Sequence, residues 1–410
     1  MSVDAGRPRR PAGNIGEEVA YTRQNFDDSS WRQLNLPHDW GIEGPFQQEL
    51  PGETGKLPWA GIGWYRKHFT VQQADKGKQI YIDFDGAMSH STVWLNGKFV
   101  GGWPYGYASF RLDLTPYIEF GRENVIAVRL DNPPESSRWY PGSGLYRNVW
   151  LVKTARVHVG HWGTFVTTPT VTKESASVNV KVTLDNDSSS AAEIAVKTSI
   201  YKLVNGKKAG SPMAASPSTK LTIAANTNQV TEVNLTVGNP SLWSTQTPNL
   251  YTAVTQIEKN GKVIDTYETN FGIRTIKFDA DKGFLLNGEH VYIKGVCDHH
   301  DLGALGSAIN VRALERQIEI LKDMGVNAIR TSHNPPAPEL LDLADRMGIL
   351  ILDEAFDAWV GAKKKNDYST LFKDWHEKDL RAFIRRDRNH PSIIAWSIGN
   401  EIREQRPDGH

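Results

Sequence analysis

Along residues 30–153 apolar and polar positions alternate in short runs, at 65–71, 78–86, 91–100, 108–118, 124–132 and 147–153. A period of two puts successive side chains on opposite faces of a strand, and the Asn-Gly, Gly-Gly and Pro-Pro breaks supply turns. These runs predict an all-β unit of two packed sheets. The alternation resumes at 176–186, 192–202, 219–226 and 229–237 and through 249–276. That second stretch predicts about seven strands in about 120 residues, the size of an immunoglobulin-like sandwich.

At Phe278 the period changes. Residues 290–300 read as an apolar strand with a polar end, and 311–325 as an amphipathic helix with Leu314, Ile318 and Leu321 on one face. The strand of 326–334, the helix of 336–348, the strand of 349–359, a helix around 374–386 and the strand of 392–401 continue the pattern. Alternating strands and helices predict a parallel sheet with right-handed crossovers. Each strand ends in a polar cluster, and a (β/α)8 barrel carries its active site at that C-terminal face. About four such units fit before residue 410, whereas closure takes eight strands. The sequence therefore predicts the first half of a barrel.

Charge and composition narrow the partners. The 47 Lys+Arg balance 47 Asp+Glu without long runs of one sign, so nucleic acid is not an expected partner. No apolar stretch approaches the ~20 residues that cross a bilayer, so no membrane partner is expected either. The single Cys297 cannot form an intrachain disulfide and leaves the compartment undecided. Residues 1–14 carry Arg7, Arg9 and Arg10 with no apolar stretch behind them, and read as a flexible lead instead of a signal peptide. The cytoplasm is open, as is a periplasmic or secreted location if an upstream signal has been removed. The 13 Trp, 13 Tyr and 14 Phe suit sandwich cores first and stacking on sugar C–H faces second.

Two stretches are specific. Asn327-Ala328-Ile329-Arg330-Thr331-Ser332-His333-Asn334-Pro335, continuing through Asp345 and Gly348 to residues 349–352, resembles the first signature of glycoside hydrolase family 2. Asp387-Arg388-Asn389-His390-Pro391-Ser392, continuing through Trp396 and Ser397 to Asn400 and Glu401, resembles its second. This is the family of β-galactosidases, β-glucuronidases and β-mannosidases. Leu36-Pro37-His38-Asp39-Trp40, Gly63-Trp64-Tyr65-Arg66 and residues 137–147 also look like family landmarks. Together with 303–306 and Asp353-Glu354-Ala355-Phe356-Asp357, they most resemble bacterial β-galactosidases. The likeness runs from Phe26 onward. It implies a jelly-roll β-sandwich over 1–154, an immunoglobulin-like β-sandwich over 155–276 and a partial TIM-barrel catalytic domain over 277–410.

Retaining cleavage of a glycosidic bond needs an acid to protonate the leaving oxygen and a second carboxylate, about 5–5.5 Å away, to attack the anomeric carbon. Glu401 follows an apolar strand, where burial at the barrel rim would raise its pKa, and is the expected general acid/base. Asn400 is placed to bond the hydroxyl beside the anomeric carbon. His333 and Arg330 end the second strand. The resemblance puts His333 against the sugar, and Arg330 would orient a carboxylate by charge-assisted hydrogen bonds. His299 occupies the family's sugar-binding histidine position. Asp298, His299, His300 and Asp301 also read as a metal cluster, but adjacent residues on an extended chain point apart, which argues against it. Asp357, Trp359 and Trp139 are further candidates for sugar contact. Some family members hold magnesium with a Glu and a His just after the Asp-Glu pair. Ala358 and Val360 stand at those places, so no metal ligand is assigned and no cofactor is required.

The resemblance places the family's nucleophile, a Glu, on a later barrel strand. Glu404 is too close in sequence to Glu401 to replace it, so the chain alone is expected to hydrolyse little or nothing. Open sheet edges would favour association, as a homo-oligomer or with a complementing C-terminal chain. The leading expectation is a retaining enzyme for terminal β-D-galactosides. The alternatives are a β-glucuronidase or β-mannosidase of the same family, or a non-catalytic carbohydrate-binding protein with a vestigial barrel.

Overall fold

The computed structural model describes residues 14–405, so the expected lead lies outside the described residues apart from Asn14. The first unit is two antiparallel sheets. One has the spatial order Gly61–Thr70, Glu123–Asn132, Ser91–Leu95, Lys98–Trp103, and the other Phe110–Asp113, Gln79–Phe84, Val149–Thr154. Alternate residues fill the space between them: Val93, Leu95, Val128 and Leu130 from one, Ile80, Ile82, Phe84 and Leu112 from the other. Each such side chain contributes about 1.5–3 kcal/mol of burial. The run 91–100 is a hairpin broken at its Asn-Gly turn. Asn96 and Gly97 both take positive φ, 51° and 76°, which gives the two-residue turn whose twist matches its strands.

The second unit pairs Val157–Val171, Ser175–Asn186 and Thr227–Gly238 in one sheet. Its other sheet holds Lys207–Ala215, Ala192–Val204, Tyr251–Lys259 and Lys262–Phe271, with Thr219–Ile223 added to Ala192–Val204. Ala176, Val178, Val180, Val182 and Leu184 fall on one strand face and meet Ile194, Val196, Ala253 and Ile257. The strand Lys207–Ala215 was not expected, because Gly210, Pro212 and its alanines carry no alternation. Hairpin pairing with Ala192–Val204 makes it a strand, at an edge where proline is tolerated.

A small sheet of Ile276–Asp279, Gly283–Leu286 and Glu289–His290 precedes four parallel strands. These are β1 (Gly295–Asp298), β2 (Ala328–Thr331), β3 (Leu350–Glu354) and β4 (Ile393–Ser397), paired in chain order. Helices α1 (Val311–Asp323), α2 (Pro338–Met347) and α3 (Ser369–Asp387) connect them. β1 is shorter than expected because His290 pairs with Leu285 in the preceding hairpin. Asn310 caps α1 by accepting from the Ala313 N–H at 3.0 Å, and Pro338 and Gly348 bound α2. Leu314, Ile318, Leu341 and Ala344 pack on Ile329, Ile351 and Ile393. Phe284 and Leu286 close the N-terminal end of the strands against Ala328, Leu350 and Trp243.

Buried polar groups fasten the first sandwich to the barrel. The Asp39 carboxylate accepts from the backbone N–H groups of Gly41, Ser143 and Ser307, each at 2.9 Å, and from the hydroxyls of Tyr140 at 2.8 Å and Ser307 at 3.0 Å. Gly142 passes over this joint with φ 66°, and a Cβ there would land on the Ser307 side chain. The fully buried Arg147 donates to the carbonyls of Tyr107 at 3.1 Å and Pro335 at 2.9 Å.

Candidate active site

Strand alternation decides which side chains gather at the C-terminal end of the sheet. Arg330 on β2 and Glu354 at the end of β3 turn toward one another, with His299 and His333 in the loops after β1 and β2 and Asn400 in the turn after β4. Glu354 is completely buried. It accepts from Arg330 Nε and Nη2 at 2.9 and 3.0 Å, from His333 Nδ1 at 2.7 Å and from the Ser397 hydroxyl at 2.6 Å. Burial favours its neutral form, but the hydrogen bonds from His333, Ser397 and Arg330 outweigh that and hold the carboxyl below its usual range. Glu354 is thus a fixed anion that orients Arg330 and His333. Its strand-end position was visible in the sequence, and its role was not.

The aromatic wall has two sources. Trp139, from the first sandwich and 8% exposed, stacks on His299 with centroids 4.9 Å apart and meets His333 edge-on at 5.6 Å. Its indole N–H donates to the Tyr107 hydroxyl at 3.0 Å. His299 Nδ1 lies 2.9 Å from the Ser332 carbonyl, which can only accept, so Nδ1 carries the proton. Burial, and His333 beside it, lower the pKa of His299, leaving Nε2 as an acceptor for a hydroxyl. His300 turns away to the Pro141 carbonyl at 3.0 Å, and burial depresses its pKa to about 3. The two adjacent rings serve different partners.

The turn after β4 is tied down through Asn400, which is 5% exposed. Its Oδ1 accepts from Arg330 Nη2 and its Nδ2 donates to Asp357 Oδ1, both at 2.9 Å. Asp357 also receives a fork from Arg138, Nε to Oδ2 at 3.0 Å and Nη2 to Oδ1 at 2.6 Å, and Lys363 Nζ at 3.0 Å. Burial works against the Asp357 charge, but hydrogen bonds from Arg138, Asn400 and Lys363 keep its carboxyl below the usual range. Asp357 therefore enters as the centre of an ion-pair network. Arg138 and Lys363 went unrecognised as site residues, although Arg138 lies within a stretch that carries the resemblance. Trp359 donates to the Ile398 carbonyl at 2.9 Å and stacks on Phe372 at 5.8 Å, so it braces the turn instead of joining the aromatic wall.

Glu401 departs from expectation in one respect. It is exposed, where burial at the barrel rim was expected. Its φ of 45° lies in the left-handed region. Its charge helps hold the proton on Arg138, after the larger contribution of Asp357, so it stands within electrostatic reach of that network. For magnesium the residues do not fit: the buried Ala358 and the exposed Val360 offer no donor atom, and the Glu354 carboxylate is already saturated.

Comparison with known proteins gives the same outline. Residues 47–155 match the sugar binding domain of the glycosyl hydrolases family 2, 157–274 match glycosyl hydrolases family 2 and 278–407 its TIM barrel domain. A β-galactosidase of Bacteroides ovatus is 50% identical over 398 residues, covering 96% of this chain and 46% of that protein. A β-glucuronidase of Bacteroides fragilis is 30% identical over 389 residues, covering 91% of this chain and 54% of that protein. The crystal structure of a glycosyl hydrolase family 2 member from Bacteroides cellulosilyticus superposes with a TM-score of 0.88 at 42% identity, over 96% of this chain and 50% of that one. The chain spans about half the length of the curated relatives it matches. With three consecutive domain matches laid over two sandwiches and a parallel β/α sheet, the chain belongs to glycoside hydrolase family 2, whose members are glycosidases.

Proposed function

We propose that this chain carries the sugar-holding and proton-donating part of a retaining β-glycosidase acting on terminal β-D-galactosides. The observation that carries the reading is the convergence of His299, His333, Glu354 and Asn400 at the ends of four successive parallel strands, with Trp139 closing one side. In this reading His299 and His333 bond sugar hydroxyls, Trp139 backs His299 through its stacked face, and Asn400 contacts the hydroxyl beside the anomeric carbon. Glu401 donates its proton to the leaving oxygen and later takes one from water. The attacking carboxylate is neither Glu354, whose oxygens are held by Arg330, His333 and the Ser397 hydroxyl, nor Asp357, held by Arg138, Lys363 and the Asn400 amide. Glu404 accepts from the Gly361 N–H at 2.6 Å and belongs to the loop. The family resemblance places the nucleophile on a later barrel strand.

The galactoside preference rests on the 50% identity to the Bacteroides ovatus β-galactosidase. A β-glucuronidase is the second reading, favoured by the Bacteroides fragilis relative of that name. Hydrolysis of nitrophenyl β-D-galactoside, glucuronide and mannoside by a polypeptide that also carries the later barrel strands decides between them. The galactoside is expected to turn over fastest, and a faster glucuronide overturns the assignment. Glu401→Gln is expected to lower turnover by roughly two to four powers of ten, and unchanged turnover removes Glu401 from the mechanism.

A further inference from the structure

We propose that Arg138, a loop residue of the first sandwich, is a positioning residue for the acid/base centre: through Asp357 it fixes the Asn400 amide and the turn that presents Glu401. This rests on the role given to Glu401 above.

The geometry leaves the amide one orientation. Asp357 can only accept and Arg330 can only donate, so Asn400 must turn Nδ2 to the first and Oδ1 to the second, as found at 2.9 Å each. Asp357 is itself oriented by the planar fork of Arg138, whose two bonds define the carboxylate plane. Lys363 joins the same centre from the other side, bonding Asp357 Oδ1 at 3.0 Å and the Asn400 carbonyl at 2.6 Å. The Asn400 N–H is also engaged, with the Phe356 carbonyl at 2.9 Å. Both backbone groups of Asn400 are thus held immediately before Glu401, whose left-handed φ of 45° needs outside support.

The fork differs from the fastenings that join the sandwich to the barrel elsewhere. Asp39 and Arg147 are buried, whereas the Arg138 side chain is 30% exposed. Asp357 keeps Lys363 and the Asn400 amide when the fork is removed, so its charge stays compensated and the fork acts mainly on the turn it aims. Ser137 makes that aim possible: its hydroxyl bonds both the N–H and the carbonyl of Trp139, at 3.2 and 2.7 Å. The resulting tight turn sends Trp139 to His299 and Arg138 to Asp357.

The test uses a polypeptide that also carries the later barrel strands. Arg138→Gln is expected to lower kcat on nitrophenyl β-D-galactoside by about 10–100-fold while KM changes by less than about threefold. Its thermal midpoint should stay within a few degrees of the parent. Arg138→Lys keeps the charge but loses the fork, so it should recover only part of kcat. Parental kcat in Arg138→Gln overturns the proposal, as does a kcat loss that follows a fall in thermal midpoint, or full recovery of kcat in Arg138→Lys. Glu401→Gln assayed alongside keeps the two ideas apart: if it is fully active the acid/base reading fails, whereas an inactive Glu401→Gln beside a fully active Arg138→Gln rejects only the positioning role.

Discussion

The two sandwiches follow one sequence grammar and give the barrel different things. The first reaches the C-terminal ends of the strands, where Trp139 stacks on His299 and Arg138 grips Asp357. The second meets the chain just before and at the start of β4. Arg274 donates to the carbonyls of Pro391 at 2.5 Å and Ile393 at 2.6 Å, and the Val166 N–H donates to Asn389 at 2.9 Å. Arg388 returns the contact to the carbonyls of Trp162 and Thr164, at 2.9 and 3.0 Å. In barrels of this kind chemistry sits at the C-terminal face and support at the N-terminal one. The contrast teaches that a β-sandwich gains or lacks a part in the site according to the strand end it touches.

Three experiments put weight on that contrast. Trp139→Ala removes a buried ring, a change that costs about 3–5 kcal/mol in protein cores. It should also lower turnover of the galactoside by about a hundredfold, beyond what loss of folded protein explains; steady-state kinetics on the folded fraction measures this. A pH series separates the two strand ends next. At the strand start His390 bonds Asp345 at 2.6 Å, and although burial opposes its charge, that partner lifts it from 6.5 to about 9. Its raised folded pKa means this stabilisation is full below pH 6.5 and fades as pH rises through about 9. Glu354 and Asp357 have lowered folded pKa values, so theirs is present above the unfolded values of 4.5 and 3.8 and fades as acid is added. Denaturant midpoints should therefore fall on both sides of neutrality, with His390→Gln flattening the alkaline side alone. Arg274→Ala, the smallest change, should cost about 2–3 kcal/mol by stripping donors from two carbonyls. Its kcat per folded molecule should match the parent, and a drop comparable to that of Trp139→Ala would erase the distinction between the sandwiches.

Local pattern carried most of the architecture. Period-two runs gave the sandwich cores because a strand with one buried face must alternate, and Leu314 and Ile318 marked the buried stripe of α1 for the corresponding helical reason. It faltered where pairing, not patterning, makes the element, as at Lys207–Ala215. Within the site, the strand-end positions of His299, His333, Arg330 and Asn400 could be read directly. Their partners could not. Arg138 and Asp357 lie 219 residues apart, and nothing in either neighbourhood records the other.

By itself the sequence determined the order of two sandwiches and a β/α sheet, and which residues stand at the strand ends, because periodicity and turn residues act over a few positions. Only the tertiary structure decided that Glu354 is a buried anion, that Asp357 is bound by cations from two domains and that Glu401 is exposed. Burial and ion pairing depend on which distant surfaces close over a residue, and that is a property of the packed chain.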